Sequence, residues 1–128
     1  MNLEKVIFGF FVLLAATVNF GFVVGDLGDP AMHNIWELYA AIVVNVVALV
    51  LKFGDRTQIG ATHLATSLVA VLQLLAAASL YIYYTSSHTE TISGGEISSV
   101  VSLACGAALA NLVSLVLLVA ETVSFRRR

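Results

Sequence analysis

Residues 35–53 read IWELYAAIVVNVVALVLKF and decide the fold class of this chain. They hold one acidic side chain, Glu37, and one basic side chain, Lys52, with only uncharged residues between them. A run of this length can cross the ~30 Å hydrocarbon layer of a bilayer as a helix. It lacks the sustained alternation of a membrane β-strand, and in lipid the backbone must satisfy its own hydrogen bonds. The stretch therefore predicts a transmembrane helix.

Three more apolar runs of similar length flank this stretch. The links between consecutive runs are short, residues 26–34, 54–60 and 85–97, so neighbouring helices are expected to be antiparallel. The sequence predicts an all-α fold, an integral membrane antiparallel four-helix bundle that forms one domain over residues 1–128. The expected helices are Val6–Gly25, Ile35–Phe53, Ala61–Tyr84 and Ser98–Val123.

Composition agrees with a surface that faces lipid. Hydrophobic residues make up 59% of the chain and charged residues 11%, whereas soluble domains carry about 25% charged residues. The net charge of −2 and the lack of a basic stretch argue against a nucleic-acid partner. Cys105 is the single cysteine, which excludes an internal disulfide.

The distribution of cations predicts the orientation. All of them fall on one side of the four-span arrangement, and the other two links contain none. By the positive-inside rule that side is cytoplasmic, so both termini are expected in the cytoplasm. The same bias argues against dual-topology insertion, as used by small multidrug transporters and fluoride channels. The cations are Lys5, Lys52, Arg56, Arg126, Arg127 and Arg128.

Each predicted helix carries one carboxamide at or near mid-depth: Asn19, Asn45, Gln73 and Asn111. A carboxamide that faced lipid would leave donors and acceptors unpaired, so these side chains are expected to point toward other helices. They are interpreted first as interhelical hydrogen-bonding groups. The alternative is a polar lining for an ion or water path.

Helix two shows the same ambiguity along its length. At 100° per residue its polar and small residues share one face, and the other faces are Val, Ile and Leu. This face either packs against partner helices or lines a wet path with an acid at one end and a base at the other. The candidates for a polar path or for helix packing are Asn19, Glu37, Asn45, Lys52, Gln73 and Asn111, and Asn34, Ala41 and Ala48 complete the face.

Small residues predict close helix approach. Gly21 and Gly25 form a GxxxG pair in helix one, nearly opposite Asn19, so that helix has two packing faces. Two faces suggest contact with a second copy or another protein. In helix four a stripe of Ser99, Ser102, Gly106, Ala110 and Ser114 predicts a packing seam. The candidate seam residues of the two helices are Gly21, Gly25, Gly106 and Ala110.

No motif for catalysis, for a nucleotide, for a haem or for a zinc site occurs, so no catalytic, cofactor-binding or metal-binding residue is predicted. His63 lies near the cytoplasmic interface, where it is interpreted as a hydrogen-bonding group or, alternatively, a proton relay. The first and third links are expected to be solvated, and the alternative is that their acidic and histidine side chains bind a divalent cation: Asp26, Asp29, His33, His88, Glu90 and Glu96. Asp55 and Arg56 form a candidate cytoplasmic docking loop, and Arg56 has Asp55 or Glu121 as possible ionic partners.

Several stretches carry a family resemblance: MNLEKVIFGF (1–10), NFGF (19–22), ELYAA (37–41), the segment 52–61, and ETV (121–123) with the arginine tail. With these the whole chain resembles an uncharacterised family of small four-helix bacterial inner-membrane proteins. The resemblance implies a bacterial inner membrane, a link to potassium-channel systems, and no known activity.

Two functions are expected from these observations. The first is a non-enzymatic inner-membrane protein that acts as an oligomeric or accessory subunit of a membrane complex. The alternative is an ion channel or transporter formed by a homo-oligomer, with a link to potassium handling. The expected partners are the lipid bilayer and either further copies of the chain or another membrane protein.

Overall fold

A computed structural model describes residues 3–24, 29, 33–53, 58–87 and 92–127 of the chain. The fold of these residues is all-α and consists of four helices. All four are long and apolar enough to cross a membrane, which confirms the expected number and class of elements. The helices are α1 (Leu3–Val23), α2 (Ile35–Lys52), α3 (Gln58–Ser87) and α4 (Gly94–Arg127).

Helix α4 begins four residues before its predicted start because the preceding link provides a helix cap. The backbone N–H of Ser93 donates to the Glu96 carboxylate at 3.0 Å, and the N–H of Glu96 donates to the Ser93 hydroxyl at 3.1 Å. This reciprocal pair satisfies two donors that a helix start leaves open. The expectation that the link extends to residue 97 was therefore wrong, since Gly94 and Gly95 belong to the helix. A hydropathy run marks the apolar segment, whereas the helix itself extends to its cap.

The junction between α1 and α2 is built from side chains at both helix ends. Asn34 is the N-cap of α2, and its side-chain oxygen accepts from the Trp36 N–H at 3.0 Å. His33 is 6% exposed, and its Nδ1 donates to the carbonyl of Phe22, 2.7 Å away in the last turn of α1. That carbonyl has no partner within its own helix. His33 is thus a buried capping residue, and the expectation of a solvated His33 was wrong.

The helices are arranged in a ring, in which each helix packs against the next and α4 packs against α1. Most of the core is one cluster of small and branched side chains from all four helices, including Phe22, Leu38, Leu74 and Val101. A second cluster of Phe8, Val12 and Ala48 lies toward the start of α1. In the described residues each helix therefore packs mainly against two neighbours.

The four helices meet at one end of the bundle, here called the basic end. Lys5 of α1 contacts Glu121 of α4, while Phe8 of α1 contacts both Lys52 of α2 and His63 of α3. Helices α3 and α4 have 30 and 34 residues, against 21 and 18 for α1 and α2. At 1.5 Å per residue, α4 is about 50 Å long. The additional length of α3 and α4 therefore lies toward the opposite end.

Candidate functional site

Asn19 links α1 to α4 through a bidentate contact with the backbone. In the orientation that satisfies both of its groups, the Asn19 carboxamide donates to the Ala104 carbonyl at 3.1 Å and accepts from the Ala108 N–H at 3.0 Å. Its oxygen also accepts from the Asn111 amide at 3.2 Å. Asn19 is fully buried and Asn111 is 4% exposed. Two of the predicted carboxamides therefore bond to each other between helices.

Gln73 of α3 approaches the same segment of α4 from the other side. Its carboxamide occupies the space that a side chain at Gly106 would fill, since a Cβ there would lie 2.5 Å from Oε1 and 2.8 Å from Nε2. The Gln73 Oε1 atom is buried and has no hydrogen-bond partner among the described residues. Gly106 is therefore a packing position for Gln73, which gives the predicted small-residue seam of α4 a specific neighbour.

A further polar contact joins α3 and α4 nearer the basic end. The hydroxyls of Thr66 and Ser114 are 2.6 Å apart, and Thr66 also donates to the carbonyl of His63 in its own helix. Asn45 of α2 is 1% exposed and donates to the Ala41 carbonyl of its own helix at 2.7 Å. Asn45 therefore turns inward as predicted, but this hydrogen bond stays within α2.

The stripe predicted on α2 faces the interior along most of its length. Ala41, Asn45 and Ala48 are buried, Glu37 and Lys52 are half-buried, and Asn34 is exposed at the cap. Glu37 lies against α1, because a Cβ at Gly21 would be 2.5 Å from its carboxylate. The stripe is thus a packing face in the single chain, and the wet path stays a prediction.

The two faces of α1 are both used inside one chain. Gly21 lies against Glu37 of α2, while Asn19 bonds to α4. This arrangement removes the argument that a second face on α1 requires a second copy. Gly25, the other member of the GxxxG pair, lies outside the described residues, as do Asp55 and Arg56 of the candidate docking loop.

The seam predicted on α4 is buried in one part and exposed in the other. Gly106 lies against α3, Ala110 packs on the core, and Ser114 is buried. Ser99 and Ser102 are exposed instead, and each donates to a carbonyl of its own helix. The seam is wider than the part of the α4 surface that a neighbouring helix covers. The spacing of residues in the sequence does not show how wide that covered part is.

The basic end contains a cluster of ionisable side chains that was not predicted from the sequence. The Lys5 ammonium is 2.6 Å from Oε1 of Glu121, and His63 Nε2 is 3.8 Å from Oε2 of the same carboxylate. Glu121 was one of two expected partners of Arg56, which lies outside the described residues, and the contact that the structure describes is with Lys5. A signal was available, since Lys5 and Glu121 have opposite charges and lie at ends of helices one and four that the four-span arrangement places on the same side. We call Lys5, His63 and Glu121 the basic-end triad.

Phe8 connects the triad to α2. Its ring packs edge-on against the His63 imidazole, with centroids 5.1 Å apart, and the Lys52 ammonium lies 4.6 Å from its centroid. A cation over an aromatic face is attracted by the ring quadrupole. One aromatic side chain therefore brings a histidine of α3 and a lysine of α2 to the same place at the basic end.

Among the residues that the structure describes, no three His, Cys, Asp or Glu side chains are grouped as metal ligands would be. No curated protein and no solved structure matches the chain. One family model, described as a family of unknown function, matches residues 32–122. The match includes α2, α3 and most of α4, and it leaves out α1 and the arginine tail, where part of the resemblance lies.

Proposed function

The chain belongs to DUF6394, a family of unknown function, and from its geometry we propose that it is a non-enzymatic subunit that assembles laterally with other membrane helices. The polar side chains described above mainly contact the chain's own helices, as structural groups do. The proposal therefore places the function on the outer surface of the bundle and not in its interior.

We further propose an antiparallel bundle in a bacterial inner membrane, with both termini in the cytoplasm. The contacts of Lys5 with Glu121 and of Phe8 with Lys52 support it, because they join the start of α1 to the ends of α4 and α2. The positive-inside rule supports a cytoplasmic location for the basic end. The apolar faces of all four helices then contact lipid.

The observation that carries the assembly proposal is the outward face of α4. Exposed residues recur on it at alternating spacings of three and four, which is the spacing of a left-handed helix pair. Near the capped end of α4 these residues are small, and membrane helix interfaces are enriched in small residues. Ser102 donates to the Ser98 carbonyl at 2.7 Å, so its hydroxyl has a partner within α4. This α4 face consists of Ser102, Cys105, Leu109, Leu112, Val116 and Val119.

The single cysteine of the chain lies on this α4 face, so disulfide cross-linking tests whether the face contacts another protein. If two copies pair through their α4 faces, Cys105 of each lies at the contact, so mild oxidation of native membranes is expected to produce a disulfide-linked dimer. A link to a different membrane protein would identify a hetero-complex instead. The measurement is non-reducing electrophoresis with identification of the linked species by mass spectrometry.

The matched control moves the thiol to another exposed face. Cys105→Ser combined with Ala76→Cys places one exposed thiol on α3, and this variant is expected to give far less dimer. Equal cross-linking of both variants would indicate random collision. If neither thiol links to anything and native mass spectrometry shows only monomers, the assembly proposal is wrong.

The second candidate is an ion channel or transporter formed by several copies, with a link to potassium handling. The inward stripe of α2 favours it, because Glu37, Asn45 and Lys52 follow one face through the span. Asn45→Leu removes the amide from this face, and the hydrogen bond that is lost lies within α2. If the protein conducts, we expect this variant to lower the potassium flux of reconstituted vesicles. Unchanged flux, or no flux in the unaltered protein, would contradict the channel hypothesis.

A further inference from the structure

His63 is the feature that the proposed assembly does not explain. It is fully buried in the second turn of α3, with Phe8 packed edge-on against its ring. Imidazole is the side chain whose charge ordinarily changes between about pH 5 and pH 8. A buried imidazole beside a carboxylate is therefore a place where a proton can be taken up or released.

Glu121 supplies that carboxylate, and its two oxygens have different neighbours. Oε1 is 2.6 Å from the Lys5 ammonium, and Oε2 is 3.8 Å from His63 Nε2. The second distance is within the range of an ion pair but beyond that of a hydrogen bond. A small movement of α3 and α4 toward each other would convert this proximity into a direct bond.

Charged groups from three helices lie near the imidazole. Lys5 of α1 and Glu121 of α4 form the adjacent pair, while Lys52 of α2 lies on the Phe8 ring that contacts His63. Helix α3 itself contains no Asp, Glu, Lys or Arg. Glu121 is thus an anion placed within ion-pair distance of His63, and an imidazolium there would attract its carboxylate.

We propose that His63 and Glu121 form a proton-binding site that couples protonation to the packing of α3 against α4 at the basic end. When His63 takes up a proton, its Nε2–H donates to Oε2 of Glu121 and the 3.8 Å separation closes to about 2.8 Å. When the proton leaves, the charge-assisted bond is lost and the end of α4 is held by Lys5. The site requires only one chain and is independent of lateral assembly.

Nuclear magnetic resonance of ¹⁵N-histidine-labelled protein in lipid nanodiscs, from about pH 5 to about pH 8, tests the site directly. The expected result is a change of His63 protonation within this range. Across the pH interval in which His63 changes its protonation, the amide hydrogen-exchange rate of residues 121–123 in α4 is expected to change at least several-fold. Glu121→Gln is expected to remove the change in exchange, although its His63 signal still reports a folded protein.

Two variants provide matched controls. His33→Gln removes the buried histidine at the opposite end, where His33 caps α1, and the pH response of α4 should remain. Lys5→Gln removes a cation from the same carboxylate but leaves the His63–Glu121 pair, so the response should also remain. A His63 ring that does not titrate in this range would overturn the proposal, and so would a response of α4 that persists in Glu121→Gln.

Discussion

Gly106→Val is expected to lower the free energy of unfolding by about 3 kcal/mol, the upper part of the range for forcing extra atoms into a packed core. The physical reason is the Gln73 carboxamide, because three of its atoms would lie 2.5–2.9 Å from a Cβ at position 106. The Gln73 side chain must then rotate, or α3 and α4 must separate. Unfolding in mixed micelles with increasing denaturing detergent measures the loss.

A second glycine-to-valine substitution on α4 is the control that separates the clash with Gln73 from the general cost of placing valine in this helix. Gly95→Val introduces the same side chain in the first turn of α4, where nothing lies within 4 Å of a Cβ. Its effect is expected to be below about 1 kcal/mol. Adding Gln73→Ala to Gly106→Val should restore part of the lost stability. If the two valine variants were equally stable, the Gln73 carboxamide could not occupy the space over Gly106.

Asn19→Leu is expected to lower the free energy of unfolding by about 2 kcal/mol. The substitution removes the contacts of Asn19 with Ala104 and Ala108 and leaves the buried Asn111 amide without its partner on α1. Single interhelical hydrogen bonds in membranes contribute about 0.6 kcal/mol on average, and an orphaned buried polar group costs about 1–3 kcal/mol. The same unfolding titration provides the measurement.

A double-mutant cycle with Asn111→Leu identifies the partner of Asn19. The double variant should lose less stability than the sum of the two single variants, because the contact between the two amides is lost in each single variant and is lost only once in the double variant. Thr17→Val is the control on α1, since Thr17 is exposed and its hydroxyl donates to the Leu14 carbonyl of the same helix. Strict additivity of Asn19→Leu and Asn111→Leu would contradict a direct contact between them.

Much of the architecture was predictable from the chain alone. The count of four helices follows from the length of the apolar runs, and the approximate positions of α1 and α2 follow from the same runs. The inward direction of Asn19, Asn45 and Asn111 follows from the cost of an unpaired amide in lipid. The true start of α4 was missed because the Ser93–Glu96 cap lies outside the hydrophobic run that was used to find the helix.

The partners of the polar groups were not predictable in the same way. Asn19 and Asn45 are chemically identical and both are buried, yet Asn19 bonds across to α4 while Asn45 bonds within α2. Lys5 and Glu121 are 116 residues apart, so their pairing depends on how α1 lies against α4. Hydropathy shows that a face is buried but not which neighbour covers it.

Apolar length and charge placement in the amino-acid chain were enough to specify four membrane-length helices, because the ~30 Å thickness of the hydrocarbon layer and the need for internal hydrogen bonds act on each segment separately. The tertiary structure decided that Gly106 lies under Gln73, that both faces of α1 are covered within one chain, and that His63 lies beside Glu121. These contacts depend on the rotation of each helix about its axis. That rotation follows from the packing of all four helices together and not from any single segment.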